Sequence, residues 1–240
     1  MKKVFLLSVL SLFTVTQIWA QTASVPEIGS QAPSFSAMST NGMINFPEDF
    51  GDSWKILFAH PKDFTPVCSS EILELAYSQE DFTEMGVKVA VLSTDNIEQH
   101  NSWKAALEQI SYKDRNPIKI NFPIIEDNDM KVSKQYGMIH SATSNSKNIR
   151  GVYFINPDNQ VKAIYFYPNE VGRDLDELKR TLTALQTTYN NENLVTPANW
   201  IKGDDVIVPV LTQAEKDNLG KLGSEYYEVS WFMIFKPFKL

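Results

Sequence analysis

The first clear pattern along the chain is a change of period. Trp54 to Ala59 is a short run, apolar but for Lys55, which predicts a strand buried on both faces. Pro61, Asp63 and Pro66 then break the chain into a loop. From about Val67 to Met85 the spacing becomes helical: Ile72, Leu75, Ala76 and Phe82 share one side, while Glu71, Glu74 and Glu80 point elsewhere. Gly86 stands where a left-handed cap ends a helix. The pattern then predicts a strand over Val87–Ser93, a helix over Ile97–Ile110, a loop over 111–121 and a short strand over Phe122–Ile125. A short helix over Asn128–Tyr136 stops at Gly137, and a Ser/Asn-rich loop fills 139–149. Arg150–Ile155 and Val161–Tyr167 predict a hairpin through the turn residues Asn156 to Asn159, and Asp174–Tyr189 a long amphipathic helix on Leu175, Leu178, Leu182 and Leu185.

Strands alternate with helices, and a hairpin plus helix closes the series. The order predicts an α/β fold: a mixed sheet flanked by helices. Residues 21–35 form a Pro-punctuated extended entry, and the texture changes again after Asn193. Short apolar patches follow, ending in Tyr226, Tyr227, Trp231, Phe232, Phe235 and Phe238. The expected organisation is a leader at 1–20, a main domain at 21–190 and a small C-terminal domain at 191–240.

The leader is a different kind of sequence. Lys2 and Lys3 precede an apolar run from Val4 to Val15, and a more polar end closes on Ala20. This is the layout of a secretory signal peptide and implies an exported, periplasmic or extracellular protein. Its removal moves the formal charge from -7 to -9. An acidic chain with no basic block argues against nucleic-acid partners and anionic membranes.

There is one cysteine, Cys68, so no disulfide forms within the chain. A lone cysteine is ordinarily an inert buried hydrophobe. Here it falls in the first turn of a predicted helix, after a strand and a loop. Unpaired backbone N–H groups at that place favour an anion. A free thiol is only about 3% thiolate at neutral pH, so such help changes its reactivity. Thr65 lies three residues before the sulfur, where its hydroxyl shares the mouth of the helix. Pro61 can wall one side, and Glu71, one helical turn on, can hold a cation in place. His100 and His140 lack partners at metal-ligand spacing, so no metal site is expected.

The string PKDFTPVCSSE resembles the peroxiredoxin active-site motif Pro-x-x-x-Thr-x-x-Cys. The segments GDSWKILFAHPKDFTPVCSSE, FPIIED, YPNEVGRDLDEL and TPANWIKGDDVIV resemble, in order, the one-cysteine subfamily across essentially the whole mature chain. The resemblance implies a thioredoxin-like fold with an added C-terminal domain, and a thiol-dependent reduction of hydrogen peroxide and organic hydroperoxides. It implies that Cys68 is the nucleophile, that Thr65 binds the peroxide, that Pro61 shields the thiolate, and that Arg150 is the active-site arginine. Arg173 matches a second arginine, with pairing to Asp174 or Glu177 as the structural alternative, and His60 either contacts the thiol region or ends a strand. The sulfenic acid product has no second cysteine to condense with, so an external thiol, small or protein-borne, must reduce it. No metal, flavin or haem is required. The resemblance also implies a homodimer.

Two departures stand out. The subfamily's phospholipase setting Gly-Asp-Ser-Trp-Gly reads here Gly51-Asp52-Ser53-Trp54-Lys55, without a histidine upstream, so Ser53 lacks a base. The leader is unusual for an intracellular subfamily and changes which thiols are at hand. Two rivals remain at this level. One is a catalytically silent thioredoxin-fold module that binds a partner through its aromatic end, which trapping a sulfenic acid at Cys68 discriminates. The other is a disulfide oxidoreductase, which needs Cys-x-x-Cys where this chain has Glu71.

Overall fold

The computed structural model describes residues 25–221 and 225–238; the leader at 1–20 lies outside them. The strands are β1 (Phe35–Ser39), β2 (Gly42–Phe46), β3 (Trp54–Ala59), β4 (Val87–Ser93), β5 (Ile124–Glu126), β6 (Arg150–Ile155), β7 (Val161–Tyr167), β8 (Val206–Ile207), β9 (Tyr227–Ser230) and β10 (Met233–Lys236). The helices are α1 (Pro66–Tyr77), α2 (Gln79–Glu84), α3 (Ile97–Leu107), α4 (Lys131–Gln135), α5 (Leu175–Asn190) and α6 (Gln213–Asn218).

Seven strands form one sheet in the order β2-β1-β5-β4-β3-β6-β7. The centre is parallel, β3 with β4 and β4 with β5, while β6 and β7 add on antiparallel. β3 shows why the run is apolar toward both faces. Trp54, Ile56 and Phe58 point into a core with α1, α3 and α5, whereas Leu57 and Ala59 point into a second core that contains Val132 of α4. A strand covered on both faces has no polar side to offer. The sheet is therefore mixed and flanked by helices, as the pattern predicts.

Four strands keep their predicted ends: β3, β4, β6 and β7. Other elements shift. The single helix expected over 67–85 is two, parted at Ser78, whose φ/ψ of -97°/1° is not helical. The strand expected at Phe122 starts at Ile124, and the helix expected at Asn128 starts only at Lys131, after Met130 with φ 61°. The hairpin β1–β2 stands in a stretch where the hydrophobic pattern predicts no strand.

The C-terminal part forms its own three-stranded sheet, β8-β10-β9. Leu194, Trp200, Val206, Val208 and Leu211 make its small core, with Ala184 of α5 packed against it.

Candidate active site

β3 delivers the chain to the site. His60 continues the strand, its N–H donating to Leu92 O at 3.0 Å. The loop to α1 is short, and Phe64 takes φ 55° to turn it. A bulky residue in that region is held there by its surroundings. Thr65 is the N-cap in extended conformation, and Pro66 opens the helix, where a missing N–H costs nothing. The Thr65 hydroxyl donates to Lys62 O at 2.9 Å rather than capping the helix, so its oxygen lone pairs stay available as acceptors. Pro61 is buried in the same loop. Cys68 is the third residue of α1 and only 1% exposed.

Around the sulfur, three charged side chains from distant segments converge. Arg150, the first residue of β6, donates from Nη1 to Cys68 Sγ at 3.3 Å and to Glu71 Oε2 at 2.6 Å. Its Nε and Nη2 both donate to Asn169 O, at 3.0 and 2.6 Å, which fixes the plane of the guanidinium. Arg173 clasps Glu71 through its backbone N–H, Nε and Nη2, each at 2.8 Å. Its Nη1 donates to Ala59 O and Gly151 O, and the guanidinium lies 3.3 Å over the Phe58 ring. Glu71 is thus buried between two arginines, off the apolar side formed by Ile72, Leu75 and Ala76; a carboxylate with two cationic partners is stable where a lone one is not. Arg173 pairs with Glu71, and Asp174 instead caps α5.

The electrostatics follow. Burial alone pushes the Glu71 carboxyl up, but the hydrogen bonds and charge of Arg173, joined by the charge of Arg150, hold it below the usual range. Burial draws Arg173 down, while Glu71 and Cys68 act the other way. Two guanidinium groups face one carboxylate, so the buried set has one surplus positive charge, and the sulfur lies against it.

His60 lies beneath the same loop. Its Nε2 bonds Asp63 Oδ1 at 2.8 Å, and the other Asp63 oxygen bonds His100 Nδ1 at 2.7 Å. The sequence spacing that leaves His100 without a partner overlooks this, because 37 residues separate it from Asp63. The ligand atoms of His60, Asp63 and Asp95 lie within 4.8 Å of one another, the composition of a metal site. The two carboxylates already have protein partners: each Asp63 oxygen meets an imidazole, and Asp95 Oδ2 accepts from Asp63 N–H and Ser93 Oγ, while His60 Nδ1 is left without one among the described residues. The donor set fits a hydrogen-bonded cluster. No histidine is bonded to Ser53 among the described residues, and Lys55 sends its Nζ to Asn159 Oδ1 at 2.6 Å.

Comparison with known proteins gives this geometry a context. The AhpC/TSA family matches residues 28–164, and the C-terminal domain of 1-Cys peroxiredoxin matches 184–220. A peroxiredoxin from Methanosarcina mazei is 41% identical over 88% of this chain and 98% of its own. A structure of the yeast mitochondrial 1-Cys peroxiredoxin superposes with a TM-score of 0.77 at 35% identity, covering 88% of this chain and 99% of that one. The peroxiredoxin 6 of Arenicola marina superposes at 0.76 with 30% identity, covering 88% and 97%. A seven-stranded thioredoxin-like sheet with one cysteine at a helix start defines a class, the thiol-dependent peroxidases. Within it, the chain belongs to the peroxiredoxin family, in the one-cysteine type.

Proposed function

We propose that Cys68 is the residue oxidised by peroxide, and that the surplus positive charge at the Glu71–Arg150–Arg173 cluster carries the chemistry. That charge reaches the sulfur through Arg150 Nη1, 3.3 Å from Sγ, so the anionic sulfur that attacks peroxide faces a fixed cation. The thiolate attacks the terminal oxygen of the hydroperoxide; the S–O bond forms as the O–O bond breaks. The departing alkoxide or hydroxide takes a proton, leaving an alcohol or water and a sulfenic acid on Cys68. Arg150 serves both ends of this step, as donor to the sulfur and as a fixed positive charge for the leaving oxygen. Thr65, with its lone pairs free, accepts the hydrogen of the bound peroxide, and Pro61 keeps bulk water from the sulfur. Glu71 and Arg173 hold Arg150 in place, and His60 supports the loop.

One external thiol then condenses with the sulfenic acid, releasing water and forming a mixed disulfide. A second thiol frees Cys68 and leaves as a disulfide. The yeast relative, whose thiol is resolved through glutathione and thioredoxin systems, supports this choice of reductant class. Hydrogen peroxide and organic hydroperoxides are the proposed substrates. The leader at 1–20 favours export, which amino-terminal sequencing of secreted protein tests directly. A homodimer is favoured by the outer edge of β7 beyond Val161 and by exposed aromatics in the C-terminal sheet. Peroxide consumption should be followed with several thiols, using wild type and Cys68→Ser. Turnover in wild type and its loss in the variant is the expected result; equal turnover in both overturns the assignment.

A further inference from the structure

The roles above leave one buried ionisable cluster without a task beyond holding a loop. Asp63 sits five residues before the cysteine, and both its oxygens are taken by imidazoles, His60 Nε2 at 2.8 Å and His100 Nδ1 at 2.7 Å. All three side chains are fully buried. Hydrogen-bond partners fix where the protons are. An ionised carboxylate accepts and never donates, so both ring nitrogens that face Asp63 carry hydrogen. The second nitrogen of His100, Nε2, meets Ile125 O at 3.2 Å, and a carbonyl also only accepts.

His60 differs. Its Nε2 is committed to Asp63, while Nδ1 is buried and has no hydrogen-bond partner among the described residues. Burial draws the ring toward its neutral form against the pull of Asp63, and His100 and Arg173 act in the same direction as burial. A neutral ring with hydrogen on Nε2 leaves Nδ1 as a bare acceptor. Asp63 stays ionised: burial would raise its carboxyl, but the bonds and charges of the two imidazoles hold it below the usual range. The remaining charge that meets the cluster is Asp95, whose Oδ2 accepts the Asp63 N–H at 2.7 Å.

We propose that Asp63 and His100 are positioning residues for the peroxide reaction, acting through His60: the shared carboxylate locks His60 as the tautomer with hydrogen on Nε2 and keeps its Nδ1 as a buried acceptor in the layer that supports Cys68. This rests on the assignment of Cys68 made above. The packing gives the link. The His60 ring centroid is 5.0 Å from that of Trp103, whose Nε1 donates at 3.2 Å to Ser69 Oγ, on the residue after the cysteine. The opposite tautomer would turn a donor toward the space where an acceptor now stands and would strip Asp63 of one partner.

The test uses the full chain with 15N-labelled histidine at neutral pH. Long-range 1H–15N correlation should give His60 a proton on Nε2 and none on Nδ1, and His100 a proton on Nδ1. A proton on His60 Nδ1, or none on His100 Nδ1, overturns the proposal. In Asp63→Asn the amide presents a donor, so one imidazole must turn acceptor, and either the Nε2 proton of His60 or the Nδ1 proton of His100 should vanish. The rate of Cys68 oxidation by hydrogen peroxide should then fall about 10- to 100-fold. His100→Gln, which keeps a donor toward Asp63, should fall less and serves alone if Asp63→Asn does not fold. Variants that are folded, yet oxidise at the wild-type rate, sink this inference and leave Cys68 untouched. Wild type that shows no oxidation at Cys68 sinks the earlier assignment instead.

Discussion

The main sheet domain and the C-terminal sheet bury opposite kinds of group. The first encloses charge: Glu71, Arg150, Arg173, Asp63 and two histidines are all inside, each with partners. The second leaves apolar surface out: Trp231 is 83% and Phe232 65% exposed, next to exposed Tyr227 and Val229. A buried charge is kept only with a function or a matching partner, and an exposed aromatic cluster marks a face for contact. On the proposed reading, the comparison separates chemistry from assembly.

It can be tested hardest at Glu71. Glu71→Ala leaves two buried guanidinium groups without their carboxylate, and should cost about 3–5 kcal/mol in urea unfolding together with most peroxidase activity. Trp200→Ala strikes the other side. It empties the centre of the small core and removes the indole bond to Asp204 O, and should cost up to about 3–5 kcal/mol. The loss should appear in the C-terminal part first, with the oxidation rate of Cys68 largely kept, as stopped-flow fluorescence can check. Acid gives a milder separation. The folded-state values of Glu71 and Asp63 lie below their unfolded ones, near 4. Their contribution to stability is therefore complete above about pH 4.5 and fades as pH falls through the folded values. Thermal melts from pH 7 to pH 3 should show this loss, with a shallower slope in Glu71→Gln. The smallest effect is expected for Trp231→Ser with Phe232→Ser. Stability should change by no more than about 0.5 kcal/mol, while sedimentation should move toward monomer.

The same contrast explains what the sequence makes legible. β3, β4, β6 and β7 are read to the residue because both their faces are covered, so apolar runs start and stop with the strands. β1 and β2 alternate weakly, with Met38 and Met43 exposed, and give no such signal. Cys68, Thr65, Pro61 and Glu71 are legible because they sit within one turn and loop, where spacing is geometry. The partner of Glu71 is not, since Arg173 is 102 residues away. The Asn169 carbonyl that orients Arg150 carries no side-chain signal at all. That Glu71 can hold a cation is legible from its place one turn after Cys68; that it holds two, and is buried between them, is not.

One consequence concerns traffic. Cys68 is 1% exposed at the start of a helix. A peroxide, with two oxygen atoms at its reactive end, is slender enough to slip in. A thiol carried on another protein is too bulky to reach a sulfur buried to that degree. On the proposed reading, oxidation and regeneration therefore ask for doors of different width.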